Sequence, residues 1–489
     1  MNRLIKDKPR LTALCVSLLS LGFLLFIAPF IIISFFNYPG AEDYAEVVLA
    51  QEFGFFGYIR ELYLTWDGRF FTAILFGLHP LVFHSFFLYK LFPIILFVLL
   101  FISIVFFIHS TGVFNKQKHT VFSISIILFI LCIYNTPSTV SAFYYYIMSG
   151  IYTPPVIGSL LLFATIIHIN KTRHSLKKLS LIIFSIFLVY SIIGSLEIFI
   201  GIILFSLLLL FVYQIKLNKP EKKETAILLA SAFSAAYLHI SAPGIRVYFN
   251  QNPMPINTER FFSAVKNCIV VSNGAFLDFI SGNYLLVLAS IYFILLLPKS
   301  ENDNTPFKKL KLSHVVIAII FIIITLHVLA FPYFWSLGDD AGQFYPKRLF
   351  SSIYVVFLFS WFTMLYIAFS YIRPKIKGKF NHYHFAKLKP LISVFIIICI
   401  PYSPAWKTAV DDLLSGRAYG YHLEMQDRIS KFKSADSNTR VWIDPLEHKP
   451  KTIYSFVDLA PYRGSGWNDA YEEYFEVQEI IFNKNLDEQ

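Results

Sequence analysis

The stretch LTALCVSLLSLGFLLFIAPFIIISFF, residues 11–36, decides the fold class, because it carries no charged side chain over 26 positions. A helix of about 20 apolar residues crosses the hydrocarbon core of a bilayer. Comparable apolar blocks recur along the 489-residue chain, which is 56% hydrophobic and only 15% charged. Because a soluble domain is about 25% charged, this composition excludes a soluble protein. It predicts an all-α polytopic membrane protein whose partner is the lipid bilayer.

Basic residues gather in short clusters between the apolar blocks. The block at 11–36 follows Arg3, Lys6, Lys8 and Arg10, exceeds the apolar region of a signal peptide and lacks a small-residue cleavage site. We therefore expect a retained first helix. Later clusters alternate with acidic or uncharged loops, which is the positive-inside pattern. The net charge of +11 thus reflects the membrane topology and not a nucleic-acid partner. The pattern predicts a cytoplasmic amino terminus.

Spans placed between the basic clusters number about 11, an odd count that puts the carboxyl terminus outside. The apolar segments 70–85 and 261–282 do not fit the alternation and are expected to be interfacial or re-entrant. Residues 1–404 then form one transmembrane domain. The expected spans are 11–36, 86–109, 120–135, 151–169, 179–193, 196–213, 225–241, 283–298, 312–331, 348–372 and 390–404.

The composition changes after Pro404, because residues 405–489 hold 15 of the 31 acidic residues and 10 of the 42 basic ones. Alternation at Arg440–Ile443 predicts a strand, and a helix is expected at about 468–482, after an apolar run at 453–459. We therefore expect a small α/β domain at 405–489 on the extracytoplasmic face, with little core of its own.

The predicted outer loop between the first two spans, residues 37–69, is acidic. Positive-inside bias accounts for its net charge, since that bias depletes Lys and Arg from outer loops. It does not account for the placement of Glu42 and Asp43 beside the membrane exit, or of Trp66-Asp67-Gly68-Arg69 at the other end. The carboxylates of the loop are Glu42, Asp43, Glu46, Glu52, Glu61 and Asp67, against Arg60 and Arg69.

Carboxylates at this depth suit a reaction in which a hydroxyl attacks a sugar carried on a membrane lipid phosphate. The hydroxyl is a weak nucleophile and needs a general base, which Asp or Glu provides. The leaving phosphate develops negative charge that Arg or Lys stabilises. We assign Asp43 as the general base with Glu42 as the alternative, and Asp67 as a positioning residue paired with Arg69.

Four cations are candidates for binding the donor phosphate. Arg69 ends the first outer loop, Arg246 follows an outward span, and Lys347 and Arg348 open an inward one. Each lies where positive-inside bias disfavours a cation. For each alone, snorkelling to an ordinary lipid headgroup explains the placement equally well. The occurrence of several such cations at the outer membrane boundary favours a phosphate site over separate lipid contacts.

Acceptor-binding or positioning roles are open for four further residues. Glu197 is the only charged residue between 179 and 213, and it is either a functional boundary carboxylate or a hydrated turn residue. Trp66, Tyr145 and Tyr152 lie in predicted outer loops. Aromatic side chains there are most often membrane-interface anchors, although their faces also stack on sugar rings.

Motifs for other chemistries are absent from the sequence. The chain has neither HExxH nor a glycine-rich nucleotide loop, and its four cysteines show no CxxC spacing. We therefore expect no metal site, no cofactor and no nucleotide-driven pump, while a requirement for a divalent cation stays open.

Six short motifs, taken in chain order, resemble the GT-C superfamily of multi-pass glycosyltransferases. Within it the chain is similar to the bacterial group that includes the O-antigen-modifying glucosyltransferases. The motifs are Glu42-Asp43-Tyr44, Trp66-Asp67-Gly68-Arg69, Met148-Ser149-Gly150, Ser195-Leu196-Glu197, Pro243-Gly244-Ile245-Arg246 and Gly466-Trp467-Asn468-Asp469.

The resemblance implies a hexosyltransferase-like enzyme at the outer face of the bacterial cytoplasmic membrane. Its donor would be a polyprenyl-phosphate-linked sugar and its acceptor a glycan of the cell envelope, such as lipopolysaccharide O-antigen. It also implies that Asp43, with Glu42, occupies the catalytic acidic position. The pair here is Glu-Asp rather than two aspartates, so which of the two is the base stays open.

Two other functions compete with the transferase. A transporter or flippase for a lipid-linked saccharide would share the membrane bulk and the boundary cations, but it predicts charged residues along a pathway deep in the spans. A non-catalytic scaffold for envelope synthesis is the third possibility. The nearly charge-free spans favour chemistry at the membrane surface.

The predicted topology is testable with reporter fusions. An alkaline-phosphatase fusion after Gln489 should be active, because the odd span count places the carboxyl terminus outside. A fluorescent reporter that requires the cytoplasm should stay dark at the same position. The reverse pattern would overturn both the topology and the proposed side of the chemistry.

Overall fold

The computed structural model of the protein describes residues 2–114, 117–251, 258–297, 311–337, 346–372, 388–455, 459–460 and 466–482. Helices dominate this part of the chain, and two short strands lie near its end. The helices are α1 Asn2–Ser34, α2 Ala41–Thr65, α3 Phe70–Gly77, α4 Phe86–Thr111, α5 Lys118–Tyr134, α6 Tyr146–Lys171, α7 Ser175–Ile193, α8 Ile198–Lys216, α9 Lys222–Ile240, α10 Pro243–Gln251, α11 Thr258–Ile280, α12 Tyr284–Leu296, α13 Leu312–Leu337, α14 Lys347–Ile372, α15 Leu388–Cys399, α16 Pro404–Leu414, α17 Arg417–Ser434 and α18 Gly466–Phe475, and the strands are β1 Arg440–Ile443 and β2 Glu479–Phe482.

Seven of the described helices are long and apolar enough to cross a membrane. Two bent pairs, α11 with α12 and α15 with α16, raise the number to nine if each pair is one broken span. The bends are 72° and 58°. This confirms the predicted helical, multi-pass membrane architecture. The first bent pair includes segment 261–282, which was expected to be interfacial or re-entrant.

All eleven expected spans fall on helices. Seven of these helices meet the criteria for crossing a membrane alone, α12 and α15 meet them only as parts of the bent pairs, and two others miss them. Helix α5 has only 17 residues, and α9 begins with Lys222, Lys223 and Glu224. The number eleven therefore stays a prediction. Segment 70–85 forms α3 and a 3-10 turn at Pro80–Phe83, which together are too short to span.

Helix α5 lies at the centre of the bundle. Fourteen of its 17 residues are buried, and it packs against α1, α4, α12, α14 and α16. Most of its surface faces neighbouring helices instead of lipid, which permits Ser123 and Ser125 on an otherwise apolar helix. Ser125 satisfies its hydroxyl by donating to the Val121 carbonyl at 2.8 Å.

Most of the segment expected as a loop at 37–69 is helical. Helix α2 begins after Gly40, whose N–H donates to the Asp43 carboxylate at 2.9 Å and so caps the first turn. At Gly54 the backbone adopts φ +65° and ψ 167°, which breaks α2 into two shorter helices. Sequence reasoning missed α2 because the helix is amphipathic and lacks the length of uninterrupted apolar residues that marks a span.

The carboxyl-terminal part confirms the strand expected at Arg440–Ile443, with alternating exposed and buried residues. The helix expected at about 468–482 ends at Phe475, and residues Glu479–Phe482 form β2, which pairs in parallel with β1. That part of the prediction was wrong. Glu476 has φ +56° and terminates the helix, and the run Ile480-Ile481-Phe482 then suits a strand. The expected apolar run at 453–459 lies partly outside the described residues.

A second apolar core joins α2 to this carboxyl-terminal part. Tyr44 of α2 is fully buried and packs against Tyr471 of α18, with ring centroids 4.2 Å apart and the rings tilted by 39°. The same core takes in the 3-10 turn through Leu81 and the sheet through Ile443. The acidic start of α2 is thus held between the membrane helices and the tail.

Candidate functional site

Asp43 is buried and fully hydrogen-bonded. Its side chain has no exposed surface. Oδ2 accepts from Gly40 N–H at 2.9 Å and from the Tyr89 hydroxyl at 2.8 Å. Oδ1 contacts His79 Nε2 at 3.3 Å and accepts from Ile147 N–H at 3.4 Å. One carboxylate therefore ties α2 to the 3-10 turn, α4 and α6.

The hydrogen bonds of His79 fix its tautomer. Leu81 N–H donates to His79 Nδ1 at 3.1 Å, so Nδ1 must be unprotonated. The proton of the neutral ring then lies on Nε2 and points at Asp43 Oδ1. His79 is a neutral donor to a buried carboxylate, which satisfies the charge without a second ion.

Glu42, the neighbour of Asp43, faces a different set of groups. Its Oε2 accepts from the Tyr145 hydroxyl at 2.6 Å, and its side chain is only partly buried. Burial raises the pKa of Glu42, the Tyr145 hydrogen bond and the Arg348 charge lower it, and Asp43 raises it, with a net upward shift. Arg348, at the start of α14, is exposed and contacts Met148 Sδ at 3.7 Å.

Glu46 lies one turn after Glu42 on the same face of α2 and accepts a hydrogen bond from the Tyr58 hydroxyl. Burial raises the pKa of Glu46, the Tyr58 hydrogen bond lowers it, and the charges of Asp67, Glu42 and Asp43 raise it, so that the pKa is about 7. Burial is the largest cause of the raised pKa values of both Glu42 and Glu46 on this helix face, and nearby carboxylates add to it.

Arg69 forms a bidentate pair with Glu197. Its Nε and Nη2 donate to the two Glu197 oxygens, each at 3.1 Å, and Asp67 lies 3.7 Å from Nε. Burial raises the pKa of Glu197, but the Arg69 charge and hydrogen bonds outweigh it and lower it to about 2. The pairing of Asp67 with Arg69 that the sequence predicted is present, and Glu197 joins it. Glu197 is therefore ionised and paired rather than simply hydrated.

Two glycines let the backbone of Trp66-Asp67-Gly68-Arg69 pack against its neighbours. A Cβ at Gly68 would lie 1.9 Å from the His239 carbonyl oxygen, and one at Gly244 would lie 2.5 Å from Trp66 N. Only glycine permits these approaches. The last turn of α9 and the first of α10 thereby hold the Arg69 loop in place.

Five of the predicted site residues form one polar cluster, to which the structure adds Glu46. We define the polar cluster as Glu42, Glu46, Asp67, Arg69, Glu197 and Arg348. Tyr152 joins its two halves, since its hydroxyl is within electrostatic range of Arg348, Arg69 and Glu197. Exposed Arg246 forms no ion pair within the described part of the chain, and Lys347 is exposed beside Arg348. Trp66 is 57% exposed next to Asp67.

Four residues of this region were not assigned roles from the sequence. His79, Tyr89 and Tyr58 are separated from their carboxylate partners by 36, 46 and 12 positions, and each looks like an ordinary core residue in its own segment. Glu46 was one of six loop carboxylates without a distinguishing feature. The spacing of Glu42 and Glu46 by four positions was a usable signal, but only once α2 was known to be helical.

One group in the described residues has the spacing of a metal site, and it lies away from the polar cluster. Glu424, Glu447 and His448 bring their ligand atoms within 4.8 Å of one another. Glu424 already accepts from the backbone N–H groups of Glu447 and His448 at 3.1 and 3.3 Å and contacts the His448 ring. These contacts account for the arrangement without a metal ion.

Comparison of the chain with family models, with curated proteins and with solved structures gave no match. The resemblance to GT-C enzymes therefore remains an interpretation of the motifs.

The close approach at Gly68 predicts a large effect of a single methyl group. Gly68→Ala should lower the free energy of unfolding by about 1–3 kcal/mol or more, because the His239 carbonyl must move. Gly201→Ala is the control, since Gly201 lies in α8 with nothing within 4 Å, and should be neutral or slightly stabilising. Thermal unfolding in detergent measures both, and equal melting temperatures would contradict the packing described.

The raised pKa of Glu46 predicts a pH-dependent stability. The folded protein retains a proton between pH 4.5 and about 7 that the unfolded chain releases, so stability should fall as the pH rises through this range. Glu46→Gln keeps an acceptor for Tyr58 but cannot ionise. Its melting temperature should exceed that of the wild type above this range, and the two should converge toward its acid end.

The control for this experiment is Glu52→Gln, which removes an exposed carboxylate from the same helix. It should follow the wild-type pH profile. A Glu46→Gln profile parallel to wild type would mean that Glu46 does not titrate differently in the folded state.

Proposed function

We propose that this chain is a membrane glycosyltransferase of the GT-C type. It moves a sugar from a polyprenyl-phosphate donor to a hydroxyl of an envelope glycan or another acceptor. The chain would lie in the bacterial cytoplasmic membrane with eleven spans and a cytoplasmic amino terminus. The polar cluster and the domain at 405–489 would then be on the extracytoplasmic side.

One observation carries the proposal. A partly buried carboxylate, Glu42, and an exposed cation, Arg348, come from helices some 300 positions apart and reach the same turn of α6. Glu42 accepts from the Tyr145 hydroxyl at 2.6 Å, and Arg348 contacts Met148 Sδ at 3.7 Å. Transfer from a lipid phosphate needs this combination, a proton acceptor for the incoming hydroxyl and a cation for the leaving phosphate.

Burial favours Glu42 over Asp43 as the general base. Asp43 has no exposed surface and both its oxygens already accept hydrogen bonds, so an acceptor hydroxyl cannot reach it without breaking them. Glu42 has one described hydrogen bond, from Tyr145, and its raised pKa makes it a stronger base than an ordinary carboxylate. Asp43 then acts as a positioning residue that fixes the start of α2.

The proposed step transfers one proton and one glycosyl group. The acceptor hydroxyl gives its proton to the Glu42 carboxylate while its oxygen attacks the anomeric carbon of the donor. The bond between that carbon and the phosphate oxygen breaks, and its electron pair leaves with polyprenyl phosphate. Arg348 stabilises the negative charge on that phosphate, with Lys347 adjacent.

Arg69 is proposed to position other residues, whereas Arg348 is proposed to bind the donor phosphate. Its guanidinium is committed to Glu197 and Asp67, and this paired arrangement suits a positioning role that orients Tyr152. Arg246 lies on α10, which packs against α2, and is proposed as a peripheral contact for the donor.

The function is tested by turnover of candidate polyprenyl-phosphate sugars by purified protein, measured as release of polyprenyl phosphate. Glu42→Gln should reduce turnover by about 10²- to 10⁴-fold, because it removes proton acceptance and keeps the hydrogen bond from Tyr145. Arg348→Ala should raise the donor KM about 10- to 100-fold, because it removes a charge-assisted contact.

Matched controls are available on α2. Glu52→Gln and Arg60→Ala each remove an exposed charge from the same helix and should leave turnover near wild type. Near wild-type turnover by Glu42→Gln would remove it from the base role. Translocation of the intact donor without phosphate release would identify a flippase instead.

A further inference from the structure

A groove lies where the beginning of α4 meets the carboxyl-terminal helices. It has a volume of about 210 Å³ and is separate from the polar cluster. Both polar and apolar groups line it. The lining residues are His84, Phe86, Phe432, Lys433, Ala435, Tyr474, Phe475 and Glu476.

Two lysines flank a pair of aromatic rings at this junction. The rings of Tyr38 and Phe86 have centroids 6.4 Å apart. Lys433 Nζ lies 5.3 Å from the Phe86 centroid, and Lys90 Nζ lies 4.2 Å from the Tyr38 centroid. Lys90 and Phe86 are on the same face of α4, while Lys433 comes from α17. Two ammonium groups from distant parts of the chain therefore meet the same aromatic pair.

Among the described residues no Asp or Glu oxygen lies within ion-pairing distance of Lys90 or Lys433, although Lys431, on the same helix as Lys433, pairs with Asp427. The ammonium of Lys90 faces His422, whose pKa is lowered by burial and then by the Lys90 charge. His422 contacts the Tyr38 hydroxyl at 2.9 Å. The junction thus has excess positive charge, with exposed Glu476 as the carboxylate on the groove lining.

The groove is at the level of a membrane boundary. Phe83, Phe87 and Leu88 are 60%, 61% and 45% exposed. Phe83 ends the 3-10 turn just before α4, and Phe87 and Leu88 lie in the first turn of α4, a candidate membrane span. Exposed apolar side chains at a span terminus contact lipid, and the residues just beyond them are at headgroup depth. Lys433 lies on that polar side, in the carboxyl-terminal part of the chain.

We propose that this junction binds the headgroup of an anionic phospholipid. Lys433 of the groove contacts its phosphate, Lys90 adds positive charge from beside the groove, and the Phe83, Phe87 and Leu88 surface contacts its acyl chains. Two lysines that form no ion pair among the described residues, against one carboxylate on the groove lining, favour a net negative headgroup over a zwitterionic one. The site requires no transfer reaction, so it stands independently of the proposed function. Its effect would be to hold α17 on the membrane surface.

The test measures phospholipid retained by the purified full-length protein, using native mass spectrometry with equal amounts of phosphatidylglycerol and phosphatidylcholine. We expect preferential retention of phosphatidylglycerol. Lys433→Gln should weaken this preference about fivefold, and Lys90→Gln combined with Lys433→Gln about 25-fold, since each lysine near a charged headgroup contributes about 1 kcal/mol.

Lys431→Gln is the matched control, because it removes a charge from the same helix that is already paired with Asp427. It should retain phosphatidylglycerol as the wild type does. Lys433→Arg, which keeps the charge on an exposed side chain, should restore binding and separates charge loss from misfolding. Equal retention of the two lipids by the wild type, or equal losses in Lys433→Gln and Lys431→Gln, would overturn the proposal.

Discussion

The buried carboxylate of Asp43 is the constraint on which the arrangement of this end of the molecule depends. A charge without solvent contact is tolerated only when hydrogen bonds replace its water, and each bond to a charged group contributes about 1.5–3 kcal/mol. Asp43 obtains these bonds from Gly40, His79, Tyr89 and Ile147. Since the four donors come from four segments, those segments must converge. The position of Glu42 relative to Tyr145 and Arg348 follows from that convergence.

A second set of contacts positions the Arg69 side of the cluster. Phe71 N–H donates to the Gly194 carbonyl at 2.9 Å, and Gly68 lies against the His239 carbonyl, so the loop after α2 is fastened to the ends of α7 and α9. The Arg69–Glu197 pair then forms between backbones that are already close. Each half of the polar cluster is thus supported by backbone contacts, and Tyr152 lies within electrostatic range of both. Such support is what precise orientation of reacting groups requires.

Features encoded by a local pattern of apolar residues could be predicted from the sequence. They are the membrane class, the spans at 11–36 and 86–109, and the strand at Arg440–Ile443. The pairing of Asp67 with Arg69 was also local. The burial of Asp43 was not predictable, because its partners His79, Tyr89 and Ile147 are 36, 46 and 104 positions away. The proximity of Glu42 and Arg348 was not predictable for the same reason, because the two residues are far apart in the sequence. Helix α2 was missed since its apolar face packs on protein, and β2 because pairing with β1 overrode a helical pattern.

The enclosure of α5 has a consequence for how the protein is made. Its neighbours α1 and α4 precede it in the chain, but α12, α14 and α16 are synthesised later. When α5 first enters the membrane, the faces that these three helices eventually cover are open to lipid. Biogenesis must therefore proceed in two stages, in which early helices partition individually and the bundle closes around α5 only near the end of translation. The hydrogen bond from the Tyr354 hydroxyl to the Leu131 carbonyl joins residues 223 positions apart. It cannot form in a chain whose synthesis is arrested before α14.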